Sequence, residues 1–385
     1  MTRILLAPDK FKGTLTAAQV AGHLAEGIAQ VRPDIEVSIV PVADGGDGLL
    51  VAAASVGFER VELTAAGPLG EPVETAYVTR DEGREAVVEM AEICGLALLP
   101  RDDLAPMTAT SLGLGQAIAH ALDHGAQKVL VGIGGSASTD GGSGMAQALG
   151  VRLLDGDGEQ VGLGGAGLAD LASVDRSGAH PGLEQARITF ACDVDNPLTG
   201  RHGAAAVYGP QKGASEEQVE ELDGYLAGLA DVVSEAAGED VRETSGAGAA
   251  GGVGYAALAL LGAQLRPGAE VVLELTGFHD ALPGADLVIT GEGSLDEQTL
   301  HGKAPAAVAD AAREAGIPVV AVAGRLQLDE EALSGAGFET AYAIADLATE
   351  PEESFTRPGP LLQDVGRRIA AALPQPAGPD PDAQE

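Results

Sequence analysis

Eight carboxylates and four of the five lysines in this chain stand in glycine-rich segments. The carboxylates are Asp9, Asp44, Asp47, Asp140, Asp193, Asp195, Glu292 and Asp296. The lysines are Lys10, Lys12, Lys212 and Lys303. These are the groups that a magnesium–phosphate site needs: carboxylates hold the metal or accept a hydroxyl proton, and ammonium groups neutralise phosphate charge. Any one acid, taken alone, reads equally well as a turn or helix cap. Their number beside the lysines is what points to phosphoryl transfer, where positioning and electrostatics do most of the work.

The run Gly134-Gly135-Ser136-Ala137-Ser138-Thr139-Asp140-Gly141-Gly142 has the composition of a phosphate cradle. Glycines let the backbone approach an anion, and hydroxyls and N–H groups can then point at it beside a helix N-terminus. A flexible linker has a similar composition, but this run lies between an expected strand and an expected helix. Two nucleotide signatures fail. Gly302-Lys303-Ala304 lacks the Ser/Thr and the upstream glycine of a P-loop. Gly246–Gly251 spells GxGxxG but follows the polar run EDVRETS, so it reads as a close-packing turn. The seven histidines show no metal-ligand spacing, and Cys192 reads as a buried small residue rather than a nucleophile.

Composition narrows the class. The 385 residues suggest two or three domains, and the 45% hydrophobic fraction is that of a globular protein. Two cysteines make no disulfide scaffold. A net charge of −36 repels nucleic acid and anionic membranes, so an anionic substrate needs a local pocket of positive potential. The opening MTRILLAPDK lacks a signal-peptide core, and the longest apolar stretch, 253–265, is too short to span a bilayer. A cytoplasmic location is expected, with small molecules rather than nucleic acid or membrane as partners. Oligomeric state is open, a homodimer being one option.

The elements that must position these loops alternate. Apolar runs at 4–7, 35–42, 286–290, 318–322 and 340–344 read as strands. Helices are expected at 17–30, after 48, and at 304–315, 330–336 and 359–373. This is a βαβ pattern and favours a parallel sheet. The region from about 61 to 91 alternates like antiparallel strands. Beyond it, helices are expected at 111–122, 141–149 and 216–236, strands at 128–133 and 187–192, and buried helical stretches at 253–265 and 271–275. The chain therefore reads as α/β, with a discontinuous parallel-sheet domain of residues 1–62 plus 284–374, an inserted α/β domain at 63–283, and a disordered tail at 375–385. In an open parallel sheet, ligands bind beyond the carboxyl ends of the strands, which is where DKFKGT, DGGDG and GEGSLD stand.

At these segments the sequence resembles the bacterial glycerate kinase type 1 family. The matching stretches are APDKFKGTLTA (7–17), PVADGGDG (41–48), GGSASTDGG (134–142), CDVDNPLTGRHGAA (192–205), YGPQKGA (208–214), GAGAAGGVGYA (246–256) and DLVITGEGSLDEQTLHGKAP (286–305). They spread over most of the chain in the family's order. The resemblance implies ATP-dependent phosphorylation of D-glycerate with Mg²⁺, 2-phosphoglycerate being the favoured product. It also implies one flavodoxin-like and one restriction-enzyme-like domain with the active-site cleft between them. On this reading ATP phosphates lie against Gly134, Gly135, Ser136, Ser138, Thr139, Gly141, Gly142, Lys212, Gly291, Gly293 and Lys303. Lys10 and Lys12, with Gly45, Gly46 and Asn196, bind the substrate, Asp193 or Asp44 holds Mg²⁺, and Asp9 or Asp296 takes the hydroxyl proton. Departures from the family pattern are Ser294 where Arg is usual, Ser138-Thr139 for Thr-Asn, and Asp47 where Glu is commoner. A non-catalytic sensor of a phosphorylated or carboxylate metabolite, and a kinase of another small hydroxy acid, remain as alternatives.

Overall fold

The computed structural model describes residues 2–43, 45, 48–100, 103–300, 302–350 and 352–374. The expected tail and three of the loop positions singled out above, Asp44, Gly46 and Asp47, lie outside them. The strands are β1 (Arg3–Pro8), β2 (Glu36–Ile39), β3 (Glu59–Ala66), β4 (Pro72–Arg80), β5 (Glu85–Glu89), β6 (Lys128–Gly132) and β7 (Arg152–Asp155). They continue with β8 (Leu171–Asp175), β9 (Arg187–Ala191), β10 (Gln264–Arg266), β11 (Leu287–Leu295), β12 (Val319–Leu326) and β13 (Thr340–Ala343).

Two compact units form. The first comprises residues 1–44 and 272–385, the second 45–271. The first holds a five-stranded sheet in the order β13-β12-β11-β1-β2, parallel throughout. Counted within the unit, the order is 5-4-3-1-2, that of flavodoxin-like folds, and the winding reverses between β1 and β11. The helix Ala17–Val31 starts where expected because Thr16 and Gln19 form a capping box. Its apolar face (Val20, Leu24, Ile28) packs into one core with Leu362, Val365 and Ile369 of the helix Pro358–Ala372. The two helices touch closely at glycine: a Cβ on Gly27 would stand 2.1 Å from the Gln363 carbonyl oxygen.

The second unit is built on a six-stranded mixed sheet, β10-β9-β6-β5-β4-β3. β5, β6, β9 and β10 run parallel, while β3, β4 and β5 are antiparallel as the alternation at 61–91 suggests. The helices Leu112–Asp123, Glu216–Ala237 and Ala249–Ala259 contribute Leu114, Ile118, Leu226, Leu229 and Val253 to its core.

Three expectations are corrected. The unit boundaries fall at 44/45 and 271/272 rather than 62/63 and 283/284. The helix Leu49–Ser55 joins the second unit because the Glu89 carboxylate accepts the Gly48 and Leu50 N–H groups at 2.8 and 3.0 Å. The stretch 253–265 is not wholly helical: its end turns into β10, because pairing with β9 satisfies its backbone. GEGSL is not a loop. Residues 291–295 continue β11 in register with β12, up to Leu295 opposite Leu326. The hairpin β7–β8 had no sequence expectation.

Candidate functional site

In the first unit the carboxyl ends of β1 and β11 meet at the winding reversal, the position where open α/β sheets bind ligands. Three bare backbones allow the close approach. A Cβ on Gly291 would lie 1.7 Å from the Val322 carbonyl oxygen, and one on Gly324 2.4 Å from that of Gly293. A Cβ on Gly293 would stand 3.3 Å from the Lys12 amide nitrogen, so the DKFKG and GEG segments are neighbours. Asp9 is 8% exposed, and its Oδ1 accepts the Lys10 N–H at 2.6 Å. Lys10 is half-buried and Lys12 exposed.

Across the same edge, Glu292 Oε1 accepts the hydroxyl proton of the buried Thr299 at 2.6 Å, and Lys303 Nζ stands 3.8 Å from Glu292 Oε2. Asp296 Oδ1 accepts the Gln298 N–H at 2.9 Å, which closes a turn. Ser294, one of the departures that the resemblance above implies, is paired in register with Arg325 of β12, an exposed residue. Arginine is therefore still present at this strand end, one strand over. In the sequence Glu292 is one of eight loop acids with no individual role and Thr299 was not singled out; the spacing GEGSLDEQT, with a hydroxyl seven residues after the acid, was the available signal.

In the second unit the parallel strands β5, β6, β9 and β10 bring their carboxyl ends to one edge. Gly45 sits there at φ +76, where a Cβ would meet Gly268 Cα at 2.5 Å. Gly132, at the end of β6, faces the Gly45 carbonyl oxygen. Asp193, after β9, is exposed, and its Oδ1 accepts the Gly268 N–H at 2.6 Å. Asn196 is held at both ends: its Nδ2 donates to the His202 carbonyl at 2.9 Å and its Oδ1 accepts from Tyr208 at 2.6 Å.

The glycine run after β6 is divided by burial. Gly135 is exposed and Gly134 half-buried, but Ser138, Thr139, Asp140, Gly141 and Gly142 are buried. Asp140 accepts from Ser111 N–H and Oγ, both at 2.8 Å, and from the N–H groups of Gly142 and Gly144 at 3.0 and 3.2 Å. The run Ala250–Gly252 has positive φ throughout, and a Cβ on Gly251 would lie 2.1 Å from the Ser138 carbonyl oxygen. The GxGxxG spelling thus marks a close-packing turn.

Lys212 is 2% exposed, and its Nζ donates to Ser136 Oγ at 2.8 Å and to the Ser138 carbonyl at 2.5 Å. Burial pushes its pKa down to about 8, with Asp140 and Cys94 opposing. The predicted cradle Gly134–Gly142 is therefore outward only at its first residues. Its interior half is packed because Asp140 and Lys212 satisfy the backbone there. Cys192 is no nucleophile at neutral pH: burial pushes its thiol up to about 11.

Among the described residues, no three His, Cys, Asp or Glu side chains are grouped to hold a metal, and no helix is long and apolar enough to cross a membrane. The chain is thus an α/β protein whose polar, glycine-rich segments gather at the carboxyl ends of parallel strands, the position where open α/β sheets bind ligands.

The chain belongs to the glycerate kinase family, whose model matches residues 4–374. It is 43% identical over 371 residues to the glycerate kinase of Halalkalibacterium halodurans, covering 96% of this chain and 98% of the relative. It is 41% identical over 373 residues to the glycerate 2-kinase of Escherichia coli, covering 96% and 98%. A solved structure carrying the name glycerate kinase 2, from Salmonella typhimurium, matches with a TM-score of 0.85 at 41% identity, covering 96% of this chain and 97% of that one. This chain is accordingly an enzyme of the kinase class.

Proposed function

We propose that the protein transfers the γ-phosphoryl group of ATP to D-glycerate, giving 2-phosphoglycerate, in the cytoplasm. The observation that carries this reading is the meeting of DKFKG and GEG at the winding reversal of a parallel sheet, in a chain of the glycerate kinase family. The relative named glycerate 2-kinase supports the 2-hydroxyl as acceptor.

Lys10 and Lys12 hold the glycerate carboxylate and meet the charge of the transferring phosphoryl group. Asp9 takes the hydroxyl proton. It is favoured over Asp296 because it directly follows the carboxyl end of β1, whereas the Asp296 carboxylate closes a turn. Gly134 and Gly135, at the accessible start of the glycine run of the second unit, contact nucleotide phosphates. Asp193 suits Mg²⁺ chemically, being an exposed carboxylate at a strand end. A single such ligand fits a magnesium ion that arrives with the nucleotide, because Mg²⁺ keeps its waters and is completed by phosphate oxygens.

The test is ADP release with ATP, Mg²⁺ and, separately, D-glycerate, L-glycerate, glycolate and lactate. Turnover confined to D-glycerate supports the reading. Turnover on another acid instead reassigns the acceptor, and absence of ATP binding replaces the kinase reading with that of a metabolite sensor.

A further inference from the structure

We propose that Lys212 is a positioning residue: its ammonium group holds the GGSASTDGG segment from within, so that Gly134 and Gly135 keep the shape that the nucleotide meets, and it does not itself touch the nucleotide. This rests on the reading above, that the exposed start of the segment contacts phosphate.

Lys212 Nζ reaches the segment at two points two residues apart, Ser136 Oγ and the Ser138 carbonyl. A two-point tether of this kind fixes the intervening peptide. The far end is fixed separately by the four bonds to Asp140. Gly251 closes the third side, with no room for a Cβ beside the Ser138 carbonyl. The Gly135 carbonyl accepts the Leu96 N–H at 2.8 Å, so the segment is held from Gly135 to Gly144 and Lys212 braces the stretch between that bond and Asp140. A lysine that served as a phosphate ligand would gain from exposure. This one is 2% exposed, and reaching a phosphate would cost it the Ser138 carbonyl. Burying an ammonium is unfavourable unless its protons are accepted. The Ser136 hydroxyl, the Ser138 carbonyl and the nearby Asp140 charge supply that compensation.

The experiment compares Lys212→Met, Lys212→Arg and Ser136→Ala with the parent enzyme. Hydrogen exchange of segment 134–142 is read without nucleotide, and then KM for ATP and for D-glycerate. Lys212→Met should speed exchange in 134–142. It should raise the ATP KM on the order of ten- to a hundredfold, the scale of a displaced binding group, while the D-glycerate KM stays unchanged. Lys212→Arg should fail likewise, because a guanidinium does not fit the ammonium's position. Ser136→Ala should move the same readouts by less, and combined with Lys212→Met should add little, as partners in one network do.

Unchanged exchange in 134–142 overturns the proposal whatever the kinetics. So does rescue of the ATP KM by Lys212→Arg, which would mark a direct phosphate ligand. If Lys212→Met does not fold, Ser136→Ala alone decides: no change in exchange and ATP KM refutes the tether. The exchange arm needs no nucleotide. Failure of the kinase reading would show instead as absent ATP binding by the parent enzyme.

Discussion

Asp9 follows directly on β1, almost wholly buried, with one carboxylate oxygen accepting the next residue's N–H. A carboxylate so fixed is suited to accept a proton in one geometry. Asp9→Asn keeps the shape and removes the base, so kcat should fall on the order of 10²–10⁴-fold while the melting temperature barely moves. Steady-state kinetics beside a thermal melt check both. Lys212 gives a pH prediction. Its pKa is about 8 in the fold against 10.5 when unperturbed, so between about pH 8 and 10 the unfolded chain binds more protons than the native one. Stability from this group therefore rises with pH across that window. The stability gap between the parent and Lys212→Met should shift in the parent's favour from pH 8 to 10, and denaturant titrations showing the opposite drift would refute it. Cys94 is wholly buried, and burial pushes its thiol up to about 12. At pH 8 a disulfide reagent should leave Cys94 unmodified in the native protein and reach it only in denaturant. The acids and lysines of these segments were legible from composition and spacing. Which of them face inward was not: Asp140 and Lys212 look like ligands in sequence, and only the surrounding Ser111, Ser136 and Gly251 reveal them as braces.

Among the elements, the βαβ units of the first sheet were readable because each strand is a short apolar run and each helix carries a cap or a clear apolar face. The continuation of β11 through GEGSL was hidden, since glycine and glutamate are poor strand formers. Tertiary contact decides there: only glycine fits at 291, because the Val322 carbonyl oxygen leaves no room for a Cβ. The unit boundary was misplaced for a related reason. Glu89 anchors the helix Leu49–Ser55 from forty residues away, which no local pattern reports. The tight crossing of 138–142 and 250–252 makes its own prediction. Gly251→Ala would place a methyl group 2.1 Å from the Ser138 carbonyl oxygen at φ +70. Overpacking together with backbone strain should cost about 3 kcal/mol. Chemical denaturation checks it, and a change within experimental error would mean that this crossing is looser than described.

For the molecule as a whole, the net charge of −36 dominates. Such a chain repels itself when compact, and salt screens the repulsion. The melting temperature should rise as sodium chloride goes from low to physiological concentration, and a fall would show that attractive ion pairs outweigh the repulsion. The same charge makes the lysines at the strand ends matter more, because an anionic acid and a nucleotide must be drawn in against it. Family and overall α/β class were legible in seven long motifs, and the flavodoxin-like strand order became visible only with the pairing of β1 to β11. The central claim is transfer of a phosphoryl group from ATP to the 2-hydroxyl of D-glycerate. Proton-coupled ³¹P NMR of the product reads it directly. A phosphate on the CH carbon is split into a doublet, whereas one on the CH₂ carbon gives a triplet. The account predicts a doublet that grows with ADP; a triplet, or no new phosphate ester, would contradict it.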